Sequence, residues 1–128
     1  EKLAIFDSEL VLRNKIADVY SENLNSHFKK PHIPKNYNSS WAQYSLILNN
    51  SQQRVKAIDL LKKNNIPSMI YYKVPLHLQK VFKYLKYKKG DMIESEKIAN
   101  KILSLPMHPY LKKHDQEYII EKLNSLQF

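Results

Sequence analysis

The sequence predicts a single α/β layer domain, and three observations carry that prediction. Helical and extended patterns alternate along the chain in the order helix, strand, helix, strand, helix, helix, strand, helix. At 128 residues there is material for one core but not for two, because a chain of this size buries roughly two thirds of the surface its unfolded form exposes. No internal repeat or low-complexity segment interrupts the alternation.

Each element has its own signal. Leu3, Phe6, Leu10, Ala17, Tyr20 and Leu24 recur at three- and four-residue steps, with Glu9, Arg13, Asp18 and Glu22 between them, so residues 2–25 read as an amphipathic helix. At 1.5 Å per residue such a helix is about 36 Å long. That exceeds the width of a domain built from the remaining residues, so part of the stripe is expected to pack on another domain or a partner subunit; a helix wrapping only its own domain is the alternative. Residues 26–40 hold Pro31, Pro34, Asn36 and Asn38, a connector in which proline and asparagine replace glycine. Trp41 to Leu48 reads as a strand ended by Asn49-Asn50. Ser51 is an N-cap candidate for a helix through Lys63, with Val55, Ile58 and Leu61 inward and Asn64-Asn65 closing it.

Ile66 to Tyr72 is expected as a second strand, with Pro67 near its start placing it at an edge. A short helix near Leu78 to Leu85 follows. The next helix is expected from about Ile93 to Leu103, with Ile98, Ile102 and Leu103 inward. Ser104 to Pro109 is expected to be short and extended, constrained by Pro106 and Pro109. His114 to Leu126 closes the domain as a helix carrying Tyr118, Ile119 and Leu123.

Composition removes whole classes of chemistry. Without cysteine there is no disulfide framework, thiol nucleophile or thiolate metal site, and the usage fits a reducing, cytoplasmic compartment. A lone Gly90 cannot build a glycine-rich phosphate loop. No apolar run approaches the roughly 18 residues that span a membrane. The first residues, Glu1 to Ala4, carry no initiator methionine and no signal pattern, so the chain is expected to be soluble and cut from something longer.

The formal charge of +9 is local. Lys73, Lys80, Lys83, Lys86, Lys88 and Lys89 lie in one acid-free segment and Lys29, Lys30 and Lys35 in another, leaving the rest of the chain balanced. Lysines interleaved with Tyr72, Phe82, Tyr84 and Tyr87 could bind nucleic acid through phosphates and stacking. Yet the residue that reads guanine edges and phosphates bidentately is arginine, and only Arg13 and Arg54 are present. A solvated face attracting a small anionic ligand is the favoured reading, and a basic module binding nucleic acid or an acidic protein is the competitor.

The histidines lack metal-site spacing: His27 and His32 share a loop, His108 and His114 straddle a turn, and none forms a helical i, i+4 pair. Glu94 and Glu96 read as acids on a solvated helix face. The dense polar cluster is Tyr71-Tyr72-Lys73-Val74-Pro75-Leu76-His77-Leu78-Gln79, which follows directly from a strand end, where loops commonly carry ligand contacts. Its phenols and imidazole can donate to phosphate or sugar oxygens, and Lys73 adds a charge-assisted donor. The tyrosines could equally bridge core and surface.

The string from Ile66 to Gln79 resembles the G-I-x-x-x-x-H-Y-P-x-P-L-H-x-Q segment of the DegT/DnrJ/StrS family of nucleotide-sugar aminotransferases. Leu103-Ser104-Leu105-Pro106-Met107-His108-Pro109 is similar to that family's L-S-L-P-M-H-P stretch, and Leu12-Arg13-Asn14, Tyr20 and Trp41-Ala42-Gln43-Tyr44 follow the family's order. The resemblance covers essentially the whole chain. It implies the small C-terminal α/β domain of an aspartate-aminotransferase-type (fold type I) enzyme, with a small, mostly antiparallel sheet packed by helices, residues 1–25 as the connecting helix and 26–128 as the domain proper.

It further implies a pyridoxal-phosphate-dependent transaminase. The cofactor, its aldimine lysine and its phosphate-binding serines would belong to a large N-terminal domain outside this sequence, leaving the fragment inactive alone. Glutamate would be the amino donor and a UDP- or dTDP-linked keto sugar the acceptor, in the making of bacterial surface polysaccharide or glycan, with the full-length protein a homodimer. Tyr71, Tyr72, Lys73 and His77 are the implied substrate-binding residues, with no catalytic, cofactor or metal residue among the 128. Two positions depart from the pattern: Tyr71 stands where histidine is frequent, and Lys73 where proline is frequent.

Overall fold

Residues 1–128 are described in the computed structural model, the side chain of Lys2 apart. A 3₁₀ turn (Lys2–Ile5) leads into helix α1 (Phe6–Asn23). Its second half buries Ile16, Ala17 and Tyr20, while Phe6, Val11 and Leu12 in its first half stay exposed. Glu9 is the buried acid of that first half, and its Oε1 accepts a 2.6 Å hydrogen bond from the Tyr110 hydroxyl.

Strand β1 (Tyr44–Ile47) pairs antiparallel with β2 (Ile102–Leu105), with Tyr44 opposite Leu105 and Ile47 opposite Ile102. Single bridges extend this two-stranded sheet on both sides: Lys29 pairs with Ile47, and Met69 with Ser104. Helices α2 (Ser51–Lys63) and α4 (Lys113–Asn124) pack on each other, with α1 against α4 and α2 against β2. Tyr20, Tyr44, Leu46, Leu61, Leu103 and Leu123 are fully buried where these elements meet. Each such burial stabilises the fold by about 1.5–3 kcal/mol.

The ends of α2 show how the sequence sets its bounds. The N-cap is Asn50, whose Oδ1 accepts from the Gln53 N–H at 2.9 Å, one residue before the expected Ser51. At the other end Asn65 takes a positive φ of 57°, the Ile66 N–H reaches the Leu61 carbonyl at 2.9 Å, and the Asn65 N–H reaches that of Lys62 at 3.1 Å. These two bonds, with Ile66 and Leu61 both in the core, form a Schellman closure in which asparagine replaces glycine. Val55, expected inward, is 51% exposed. It lies two residues before buried Ala57, about 200° round the helix from the core face.

Three other boundaries move. Trp41, expected to open β1, sits outside it with a φ of 48°. Its indole N–H donates to Asn14 Oδ1 at 2.9 Å, and its carbonyl accepts from Arg13 Nη1 at 3.0 Å, so it is pinned to α1. The strand expected at Ile66 to Tyr72 reduces to the Met69–Ser104 pair, because Pro67 brings no donor to the ladder. Helix α3 (Ile93–Ala99) ends four residues short of Leu103, and Ile102 and Leu103 join the sheet instead. The extended segment expected at Ser104 to Pro109 thus begins two residues early. Tyr118 of α4 is half exposed, and its hydroxyl donates to Asn64 Oδ1 at 3.0 Å.

Among the described residues, no helix is long and apolar enough to cross a membrane.

Candidate functional site

Past Met69 the chain leaves the sheet and folds over α3 as two 3₁₀ turns, Leu76–Leu78 and Lys80–Leu85. The Leu78 N–H bonds the Pro75 carbonyl and the Gln79 side chain reaches back to the Val74 carbonyl, so Pro75 through Gln79 is fixed by its own short-range bonds. The Tyr71–Tyr72 peptide is cis. A cleft of about 350 Å³ opens between this loop and α3, with Tyr71, Tyr72, Leu76 and His77 on one side and Met92, Ser95, Ile98 and Ile102 on the other. The Tyr71 and Tyr72 rings meet edge to face, centroids 6.0 Å apart.

Three of the four sequence-predicted residues therefore share one cleft. Lys73 does not line it; it borders an adjoining cleft of about 180 Å³ together with Lys89, Glu96 and Asn100, and the two clefts share Pro75 and Ala99. The other lysines of the basic stretch stand exposed on the second 3₁₀ turn and the loop after it. Lys86 ends that turn with a φ of 60°, and the Lys88 N–H is capped by Asp91 Oδ2 at 2.8 Å. Exposed Val81 and Tyr84 flank them.

His77 is held from below. Its Nε2 lies 3.0 Å from Glu96 Oε1, and the two side chains are only 7% and 15% exposed. The same oxygen accepts the Gly90 N–H at 2.7 Å, and the Tyr87 ring meets the imidazole edge to face. The Gly90 N–H first and the His77 ring second hold the Glu96 carboxyl below the usual carboxylate range. Glu96 thus corrects the reading of a solvated acid: α3 turns it inward, whereas Glu94 points out and pairs with Lys97 at 2.8 Å. Sequence reasoning missed it because no local pattern joins positions 77 and 96; the single glycine six residues before it was the available clue.

Elsewhere the polar residues of the motifs serve the fold. Arg13 donates to the Trp41 carbonyl and Arg54 Nη1 to that of Ala99 at 2.6 Å. Lys30 Nζ caps α1 through the Ser21 and Leu24 carbonyls. Ser104 Oγ bonds Ser45 Oγ across the sheet at 2.8 Å, and the Pro106 carbonyl accepts the Tyr20 hydroxyl at 3.1 Å. The stretch from Leu103 to Pro109 therefore acts as the rigid piece expected of it. His114 pairs with its neighbour Asp115, and His27 meets Phe128 edge to face.

Pyridoxal phosphate needs a lysine amine for its aldehyde, an acid beside its ring nitrogen and donors for its phosphate. The larger cleft is lined by no lysine, arginine or acid. Its residues do not fit the cofactor; they fit the apolar and hydroxyl-bearing faces of a ligand.

Comparison with known proteins agrees with this architecture. The profile of the DegT/DnrJ/EryC1/StrS aminotransferase family matches residues 1–124. The chain is 35% identical over 111 residues to a UDP-2-acetamido-2-deoxy-3-oxo-D-glucuronate aminotransferase of Pseudomonas aeruginosa, covering 86% of this chain and 29% of that protein. It is 52% identical over 63 residues to a pleiotropic regulatory protein of Geobacillus stearothermophilus, covering 49% of this chain and 17% of that protein. The crystal structure of a DegT DnrJ EryC1 StrS aminotransferase from Brucella abortus matches with a TM-score of 0.86 at 43% identity, over 96% of this chain and 32% of that one. The chain spans no more than 32% of the length of any of these three proteins. The fold is the small α/β portion of an aspartate-aminotransferase-type enzyme, as the two motifs implied. This chain belongs to the DegT/DnrJ/EryC1/StrS aminotransferase family.

Proposed function

We propose that residues 1–128 form the substrate-facing small domain of a pyridoxal-phosphate-dependent transaminase that aminates a keto group of a nucleotide-activated sugar. The observation that carries this reading is the convergence of Tyr71, Tyr72 and His77 on one cleft, beside a second cleft edged by Lys73 and Lys89. A nucleotide sugar has the same division: hydroxyl-bearing rings joined through a diphosphate. Phenols and an imidazole suit the rings, and lysine ammoniums suit the phosphates. The name of the Pseudomonas relative, a UDP-linked 3-oxo sugar acid aminotransferase, supports the substrate class.

In this reading residues 1–25 are the connecting helix and 26–128 the domain proper. The cofactor and the lysine that binds it lie outside residues 1–128, glutamate supplies the amino group, and the complete protein works as a cytoplasmic homodimer in surface polysaccharide or glycan synthesis. The competing reading, a basic module for nucleic acid or an acidic protein, draws no support from the arginines, both of which are spent on backbone carbonyls.

The test is steady-state kinetics of the complete enzyme. Tyr72→Phe combined with His77→Ala is expected to raise KM for the sugar nucleotide about tenfold, the loss of one or two hydrogen bonds of about 1 kcal/mol each, with KM for the amino donor unchanged. An unaltered KM for the sugar nucleotide would sink the proposal.

A further inference from the structure

The His77–Glu96 pair decides more than the position of a ring. Glu96 Oε1 accepts the Gly90 N–H at 2.7 Å, and this carboxyl, held below the usual carboxylate range, is ionised at neutral pH and has only acceptor oxygens to offer the imidazole. The ring atom 3.0 Å from it, Nε2, must then be the donor. A neutral imidazole carries one N–H, and which nitrogen bears it follows from the bond the ring makes. With Nε2–H committed to the carboxylate, Nδ1 is left as a lone-pair acceptor. Among the described residues Nδ1 has no partner, and His77 lines the larger cleft.

We propose that Glu96 is a positioning residue that holds His77 as the Nε2–H tautomer, so that His77 accepts a hydrogen bond from a ligand hydroxyl instead of donating one to a phosphate. The proposal rests on the sugar-nucleotide reading and sharpens it. Ionised phosphate oxygens only accept, and a neutral imidazole with only Nδ1 free has nothing to give them. The diphosphate is left to Lys73 and Lys89 at the adjoining cleft, and His77 discriminates for a sugar or ribose hydroxyl. The reversal was invisible while His77 counted as a donor by residue type.

Long-range nitrogen-15 NMR of the imidazoles at pH 8, above the ordinary imidazole pKa of about 6.5, reads the tautomer directly. The parent chain is expected to show the Nε2–H form of His77 over the Nδ1–H form by about tenfold, the preference a charge-assisted hydrogen bond of 1.5 kcal/mol or more sustains. Glu96→Ala should lower that ratio toward the milder Nε2–H preference of a free histidine side chain. A parent ring in the Nδ1–H form, or an even mixture in the parent, overturns the proposal whether or not the variant folds. UDP-N-acetylglucosamine and inorganic pyrophosphate are then added separately to the parent. The first should shift the Nδ1 resonance and the second should not. A shift with pyrophosphate alone overturns the hydroxyl assignment. The expected tautomer with no response to either ligand overturns the sugar-nucleotide part and leaves the role of Glu96 standing.

Discussion

Tyr20 shows how much one hydroxyl can hold in this fold. The residue is fully buried, its ring centroid lies 5.0 Å from that of Tyr44, and its hydroxyl reaches the Pro106 carbonyl at 3.1 Å. Burial, then the Tyr44 phenol, push its hydroxyl well above the ordinary 10.0. Tyr44 moves the same way through burial, partly offset by its bond to Ser21. Raised folded-state values mean stability that is complete below pH 10 and lost as pH climbs above it, because the unfolded phenols release their protons first. Tyr20→Phe is therefore expected to cost about 1–2 kcal/mol at pH 7 by orphaning the Pro106 carbonyl. The gap between parent and variant should narrow above pH 10, where the parent alone carries the extra titration. Urea denaturation at pH 7 and at pH 10.5 measures both; a gap that widens at the higher pH contradicts the account.

At the scale of elements, legibility follows whether the signal is local. Helix α2 was readable because its bounds are short-range features: the Ser51 start, the Asn64-Asn65 stop and one apolar face. Even so the cap fell on Asn50, since its carboxamide and not the Ser51 hydroxyl receives the Gln53 N–H. Asn50→Ala is expected to cost about 1 kcal/mol. Ser51→Ala should cost only a few tenths, because Ser51 Oγ bonds only the Gln52 side chain in the open. Thermal or urea midpoints of the two variants decide it, and a larger loss for Ser51→Ala would reverse the assignment. The α3 to β2 boundary was not readable, for Leu103, Ser104 and Leu105 are all buried, and burial on both faces erases the two-residue alternation that marks a strand. The site divides the same way. Tyr71, Tyr72 and His77 were legible as neighbours in one segment, whereas Glu96 reaches His77 from 19 residues away in sequence. Lys73, adjacent to them in sequence, lines a different cleft because the loop turns between it and His77.

For the molecule as a whole, the opening helix raises the question of what completes the fold. Its apolar stripe was expected to run past the domain, and the structure buries the apolar residues only from Ile16 onward, leaving Phe6, Val11 and Leu12 exposed while Glu9 is held against Tyr110. The second half is tied down by packing and by polar clasps: Gln116 Nε2 donates to the Ile16 carbonyl at 2.7 Å, and Asn124 bonds both Asn23 and Asn25. A face that touches nothing in this chain contributes nothing to its stability, whatever it contributes in a longer protein. In residues 1–128, Val11→Ser, at a position 55% exposed, is expected to change unfolding free energy by less than about 0.5 kcal/mol. Ile16→Ala, five residues along the same helix and buried, should cost about 2–4 kcal/mol. If the exposed face is where the rest of an aminotransferase packs, Val11→Ser becomes costly in the complete enzyme while Ile16→Ala keeps its value. Chemical denaturation of both variants in both contexts gives the comparison, and equal losses for the two substitutions in the 128-residue chain would show that the first half of α1 is already covered.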